Sequence, residues 1–156
     1  MVLYAASILL LLISGAAKVA RPRATAQALV DLLPVGRWVL RAQVWRRVAR
    51  AVGIVEIVVA ASGQPGLVAV VYALFGVVVA LQLRAGSTGS CGCVGGDSPA
   101  TPLHLVLNIA FAGSALVAPG LTRDPLELGL AVVLAGLCLG VMTALADLST
   151  AIRARA

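Results

Sequence analysis

Residues 51–84, AVGIVEIVVAASGQPGLVAVVYALFGVVVALQLR, decide the fold class. Two interruptions matter in this apolar stretch: the carboxylate of Glu56, and the break Ser62-Gly63-Gln64-Pro65-Gly66, which has the Gly/Pro chemistry of a tight turn. A helix that crosses a bilayer needs about 20 apolar residues, so the stretch reads as a helical hairpin with spans over about 48–62 and 66–83. The first of these is short for a membrane, and it gains length if it begins in the Arg46–Arg50 stretch, whose side chains can snorkel to the headgroups. The whole chain has the same character. Of its 156 residues 61% are apolar and 12% charged, and the mean hydropathy is +1.05. Soluble domains carry roughly 25% charged residues, so a water-solvated globule is excluded.

Upstream, Val2–Ala17 is an apolar run ending at Lys18, with no basic segment ahead of it such as a signal peptide would carry. It is read as a span over 2–18. The interval 19–47 is apolar and basic by turns, interrupted by Asp31, Pro34 and Gly36. Ala24–Leu33 and Arg37–Arg50 look like two short amphipathic helices lying along the interface, with Trp38 and Trp45 as interfacial anchors. Downstream, residues 85–101, AGSTGSCGCVGGDSPAT, are too rich in Gly and Ser to sit in hydrocarbon and form a loop. Thr101-Pro102 supplies an N-cap and first-turn pair for a fourth span over 103–118. Pro119-Gly120 to Pro125 turns the chain into a fifth span over 126–146, which carries a Gly136-xxx-Gly140 packing spacing. The expected fold is all-α: one integral-membrane domain over 1–156, with four core spans, a fifth, and interfacial helices after the first.

The net charge is +6, and eight of the twelve Lys and Arg residues (Lys18, Arg21, Arg23, Arg37, Arg41, Arg46, Arg47, Arg50) fall in one interval. That is the pattern of a cytoplasmic loop facing anionic lipid, not of a nucleic-acid-binding face. With 4% aromatics and a single His, haem binding and base stacking are poor fits as well. Five spans with the N-terminus outside leave only Arg123 on the outer side. A bacterial cytoplasmic membrane is the expected location. Whatever the orientation, Lys18, Glu56, the loop 85–101, His104 and Asn108 share one face of the membrane.

Cys91-Gly92-Cys93 in that loop is the most informative element. Two thiols two residues apart can close a disulfide, and the short ring strains it toward easy reduction, which suits exchange better than a permanent staple. Binding of a soft metal and incidental thiols are the other readings. Cys91, Cys93 and His104 give three ligands, short of the four in a structural zinc site, although two thiolates suffice for Cu(I). Glu56 in a span is costly and signals either function or a paired structural charge, with Lys18 the partner that topology offers. His104 is either an interfacial polar residue or a base that helps form thiolate. Asn108 reads as an interhelical hydrogen-bonding residue. Cys138 reads as buried and inert, and Asp97 as a solvated turn residue. No cofactor motif is evident. A quinone is imaginable only by analogy with other four-helix membrane redox proteins.

Ser14-Gly15-Ala16-Ala17-Lys18 at the end of span 1, Pro22, Pro34, Glu56, Ser90-Cys91-Gly92-Cys93-Val94-Gly95 and Asn108 together resemble the MauE family of methylamine-utilisation membrane proteins, grouped with DoxX-like redox-associated proteins. The resemblance covers about residues 3–118. The family usually has Phe where Val94 stands here, a change that leaves the thiols untouched. The resemblance implies a role in forming or processing disulfides of an exported protein, alongside a thioredoxin-like partner, with Cys91 and Cys93 as the redox pair and Lys18, Glu56 and Asn108 as family-pattern positions. In the methylamine system the client is the small subunit of methylamine dehydrogenase. The charge bias puts the thiols on the cytoplasmic side, whereas an exported client meets them outside. Three arrangements reconcile the two: a partly embedded Arg-rich segment, reducing equivalents passed from the cytoplasm, or a loop folded into the bundle and reached from the other side. A soft-metal carrier using the CGC loop and Glu56, and a non-catalytic scaffold of a redox complex, are the competing functions.

Overall fold

The structure is a computed structural model and describes residues 1–32, 42–86, 100–118, 120 and 124–153, with the side chains of 31, 32 and 145–153 left aside. It is built of helices: α1 (Val2–Ala20), α2 (Pro22–Leu32), α3 (Ala42–Ser62), α4 (Pro65–Arg84), α5 (Pro102–Val117) and α6 (Pro125–Arg153). No strand occurs among the described residues. Among the described residues, four of the six helices open on proline, whose fixed φ suits the first turn and whose missing N–H costs nothing there. Pro22 also closes α1, because the residue before a proline is pushed out of helical geometry. Gly63 ends α3 with φ of 59°, a left-handed position that glycine occupies without strain, and it joins α3 to α4 in two residues.

α1 is the central helix. It buries Tyr4, Ser7, Leu11, Ser14 and Lys18 along one stripe and Ala5, Ala6, Ile8, Leu10 and Gly15 beside it, and it packs against α3, α6 and α5. α1 and α3 run antiparallel, with Tyr4 OH donating to the Gly63 carbonyl at one end (2.8 Å) and Lys18 meeting Glu56 toward the other. α4 lies beside α5, and Tyr72 OH donates to the Ser7 carbonyl of α1 at 2.6 Å. Although a tight turn joins α3 and α4, they barely touch beyond it. α3 packs on α1, and α4 on α5. The hairpin expected over 51–83 is therefore a connection between two helix pairs rather than a packed unit.

Three helices (Val2–Ala20, Pro65–Arg84, Pro125–Ala144) are long and apolar enough to cross a membrane, and α5 is a shorter apolar helix. Their outward faces carry exposed Leu67, Val70, Leu74, Val77 and Leu81 on α4, and Leu130, Val133, Leu137 and Val141 on α6. In water these rows would be an aggregation hazard, whereas in a bilayer they face lipid. The molecule is a helical membrane bundle.

The interfacial segment differs in detail from the expectation. α2 is a separate short helix, but residues 42–50 of the second amphipathic stretch and the second span form one continuous helix, α3, because no proline interrupts residues 42–62; residues 37–41 of that stretch lie outside the described residues. One buried stripe, Trp45, Ala49, Gly53, Glu56 and Ala60, runs its length at three- and four-residue spacing. Trp45 is not an interfacial anchor. It is buried against α2, in a small cluster with Ala26 and Ala49. Trp38 lies outside the described residues.

Candidate functional site

A close approach of two helices positions a buried polar cluster. A Cβ added to Gly15 would stand 2.7 Å from the Gly53 carbonyl oxygen, and one added to Gly53 would stand 2.7 Å from the Gly15 carbonyl oxygen. The two glycines thus let α1 and α3 meet backbone to backbone. One turn beyond each, Lys18 and Glu56 face one another: Nζ to Oε2 is 2.9 Å, and both residues are almost fully buried. Ser14, four residues before Lys18 and so on the same face of α1, closes a triangle. Its hydroxyl donates to Glu56 Oε2 at 2.9 Å and accepts from Lys18 Nζ. The Lys18 ammonium also sits 5.1 Å from the centre of the Phe75 ring, within cation–π range.

The triangle is neutral overall, which makes it tolerable away from water, but it is only partly satisfied. Glu56 Oε1 is buried and has no hydrogen-bond partner among the described residues. A buried ion pair with an unpaired lone-pair site seldom adds net stability over an apolar replacement. Lys18 and Ser14 both engage Oε2, so one oxygen of the carboxylate is committed within the triangle and the other is left open among the described residues.

His104 and Asn108 lie one turn apart on α5, and both are buried. Thr101 occupies the N-cap as expected, but its hydroxyl makes no capping bond to the backbone. It pairs instead with His104 Nδ1 at 2.7 Å. His104 is thus buried and hydrogen-bonded within the bundle. Asn108 departs from the interhelical role expected of it: its amide nitrogen donates to the His104 carbonyl on its own helix, at 2.7 Å. Both residues line a cavity of about 40 Å³, together with Ser14, Tyr72, Phe75 and Met142. At roughly 10–15 Å³ of such space per molecule, that is room for a few waters. Ser14 thus belongs both to the ion-pair triangle and to the cavity wall, and it links Lys18 and Glu56 to His104 and Asn108.

Sequence reasoning placed Lys18, Glu56, His104 and Asn108 on one face, and the structure gathers them toward one end of the bundle. It missed Ser14 as a member of the cluster, and the four-residue spacing to Lys18 was the available signal. Cys91 and Cys93 lie outside the described residues, as does Asp97. Cys138 is half-buried at the edge of the main core and is not in a disulfide. Among the described residues no three His, Cys, Asp or Glu side chains come together as a metal-ligand set.

A lipid-facing helical bundle with a buried polar cluster near one end defines an integral membrane protein. The chain belongs to the MauE family: the family model described as methylamine utilisation protein MauE matches residues 1–121, which takes in α1 to α5 and every residue of the cluster. Neither a curated protein nor a solved structure matches the chain.

Proposed function

We propose that this protein is a thiol–disulfide exchange component of a bacterial cytoplasmic membrane, with Cys91 and Cys93 as the exchanging pair. It would act with a thioredoxin-like partner in forming or processing disulfides of an exported client. The observation that carries the reading is the Cys91-Gly92-Cys93 element inside the segment that belongs to the MauE family. Further support comes from its position in the chain: the connection holding it runs from the end of α4 to the start of α5, and α5 opens on the Thr101–His104 pair.

In the exchange, a thiolate of the pair attacks a sulfur of the partner's disulfide, forming a mixed disulfide and releasing one partner thiolate. The second cysteine then attacks the mixed disulfide. The net change oxidises two thiols here to a disulfide and reduces the partner's disulfide to two thiols, and in the opposite direction the same steps run backward. His104 and Glu56 are proposed as supporting groups that accept or hold protons for the exchange, with Lys18 as the charge partner of Glu56 and Asn108 as a hydrogen-bonding residue.

Removing one cysteine tests this. Cys91→Ser or Cys93→Ser, in a chain that also carries Cys138→Ala, is expected to arrest the reaction for one of the two variants as a covalent complex that dissolves on reduction. Mass spectrometry of the arrested complex would identify a thioredoxin-like protein. Absence of a covalent species from both variants, together with one Cu(I) retained per chain under reducing conditions, would replace this reading with the metal-carrier one.

A further inference from the structure

The two long faces of α3 are differently made, and only the inner one is used by the cluster described above. Its outer face carries Arg46, Arg47 and Arg50, all exposed, followed by exposed Ile54, Val55 and Val58. Arg46, Arg50, Ile54 and Val58 repeat at four-residue spacing and so lie along one side of the helix. From Arg50 to Val58 the axis rises about 12 Å, at 1.5 Å per residue. None of the three arginines is in an ion pair with a described residue. α2 packs against the same part of α3 through Ala26, Trp45 and Ala49, and it brings the exposed Arg23 to that end of the bundle, while Arg21 precedes it.

We propose that this outer face of α3 binds one anionic glycerophospholipid, its phosphate held by Arg46, Arg47 and Arg50 and an acyl chain lying along Ile54 and Val58. Side chains on a helix lean toward its N-terminus, so the arginines reach away from the apolar part of the face, toward the level at which headgroups lie. Every cation on this stretch is Arg, whose planar fork can give a phosphate two parallel hydrogen bonds, whereas a lysine offers a point charge. The arginine row alone would suit any phosphate. Its direct continuation into an exposed apolar row selects a lipid over a free anion.

The test uses the full chain in bilayer discs of phosphatidylcholine with a minor fraction of phosphatidylglycerol, reading which lipid stays bound after extraction by native mass spectrometry. Phosphatidylglycerol is expected to be enriched over its bulk fraction, by roughly fivefold for each arginine engaged. The triple variant Arg46→Gln, Arg47→Gln, Arg50→Gln should bring the ratio back to bulk. The triple Arg→Lys variant keeps the charge that orients the chain and is expected to fall between the two. Ile54→Ser with Val58→Ser should weaken lipid retention while leaving any inorganic phosphate binding unchanged. Bulk-like retention by the unsubstituted protein would overturn the proposal, as would enrichment that survives the triple Gln change. Full displacement of the lipid by millimolar inorganic phosphate would show a free-anion site and overturn it too.

Discussion

Replacing either member of the buried ion pair alone is expected to cost about 3–5 kcal/mol of folding stability, because the partner is left as an uncompensated charge inside the bundle. Glu56→Leu removes the carboxylate that pairs with the Lys18 ammonium at 2.9 Å. Lys18→Met leaves Glu56 with one hydrogen bond from Ser14 and an orphaned Oε1. The double variant Lys18→Met/Glu56→Leu removes both charges and should recover most of the loss, since a buried pair replaced by apolar residues of similar volume is often neutral. Reversible unfolding in mixed micelles measures all three. Single-variant losses below about 1 kcal/mol would mean that the pair is hydrated in the bilayer and not the sealed contact described here. The double variant also separates two roles for the pair. As a packing clamp alone it would leave thiol exchange intact in a folded protein. As a proton-handling group, the role proposed here, its removal slows exchange although the protein folds.

The second large effect is expected at the glycine crossing. Alanine at Gly15 or Gly53 puts a methyl group 2.7 Å from a carbonyl oxygen of the facing helix, and the obstacle is backbone that no rotamer change can clear. α1 and α3 must separate, at about 1–3 kcal/mol for the overpacking, and the 2.9 Å contact between Lys18 and Glu56 opens with them. Gly113→Ala is the control, because no atom stands within 4 Å of its added Cβ. An unchanged unfolding midpoint for Gly53→Ala would show that the two helices do not meet backbone to backbone.

Hydropathy made the bundle legible because it reports which solvent a segment prefers. Thr101-Pro102 marked where a helix opens, the turns around Pro65 and up to Pro125 marked where others are separated, and the pairing of Lys18 with Glu56 followed from counting spans. What a segment touches is another matter. That α3 and α4 part company beyond their turn depends on where α1 sits, and a hairpin pattern says nothing about a third helix. Residues 42–62 read as an interfacial helix plus a span because charge density changes along them, although a continuous backbone can carry both. The Gly15–Gly53 crossing needs the register of two helices 38 residues apart in sequence, and neither glycine is unusual on its own. Ser14 belongs to the Ser14–Lys18 motif, yet its position between the charges becomes visible only once α1 and α3 are docked. Asn108 satisfied its amide locally, on the carbonyl one turn back, which a short polar side chain on a helix can always do.

The charge pattern of the described residues agrees with one basic end. Arg21, Arg23, Arg46, Arg47, Arg50 and Arg84 are all exposed toward the end where α1 and α4 finish, whereas Asp124 and Glu127 lie where α6 begins. It is also the end from which the connection carrying Cys91 and Cys93 departs.

The most direct test of the proposed exchange is labelling of Cys91 and Cys93 by a membrane-impermeant maleimide, in intact cells and in inverted vesicles, in a Cys138→Ala background. Labelling that appears only after reduction is the predicted result, since the proposed exchange pair rests as a disulfide, and the side that labels then fixes the direction of electron flow. Two thiols that label fully without reductant, on either side of the membrane, and that never become protected when the cells are oxidised, would contradict the account.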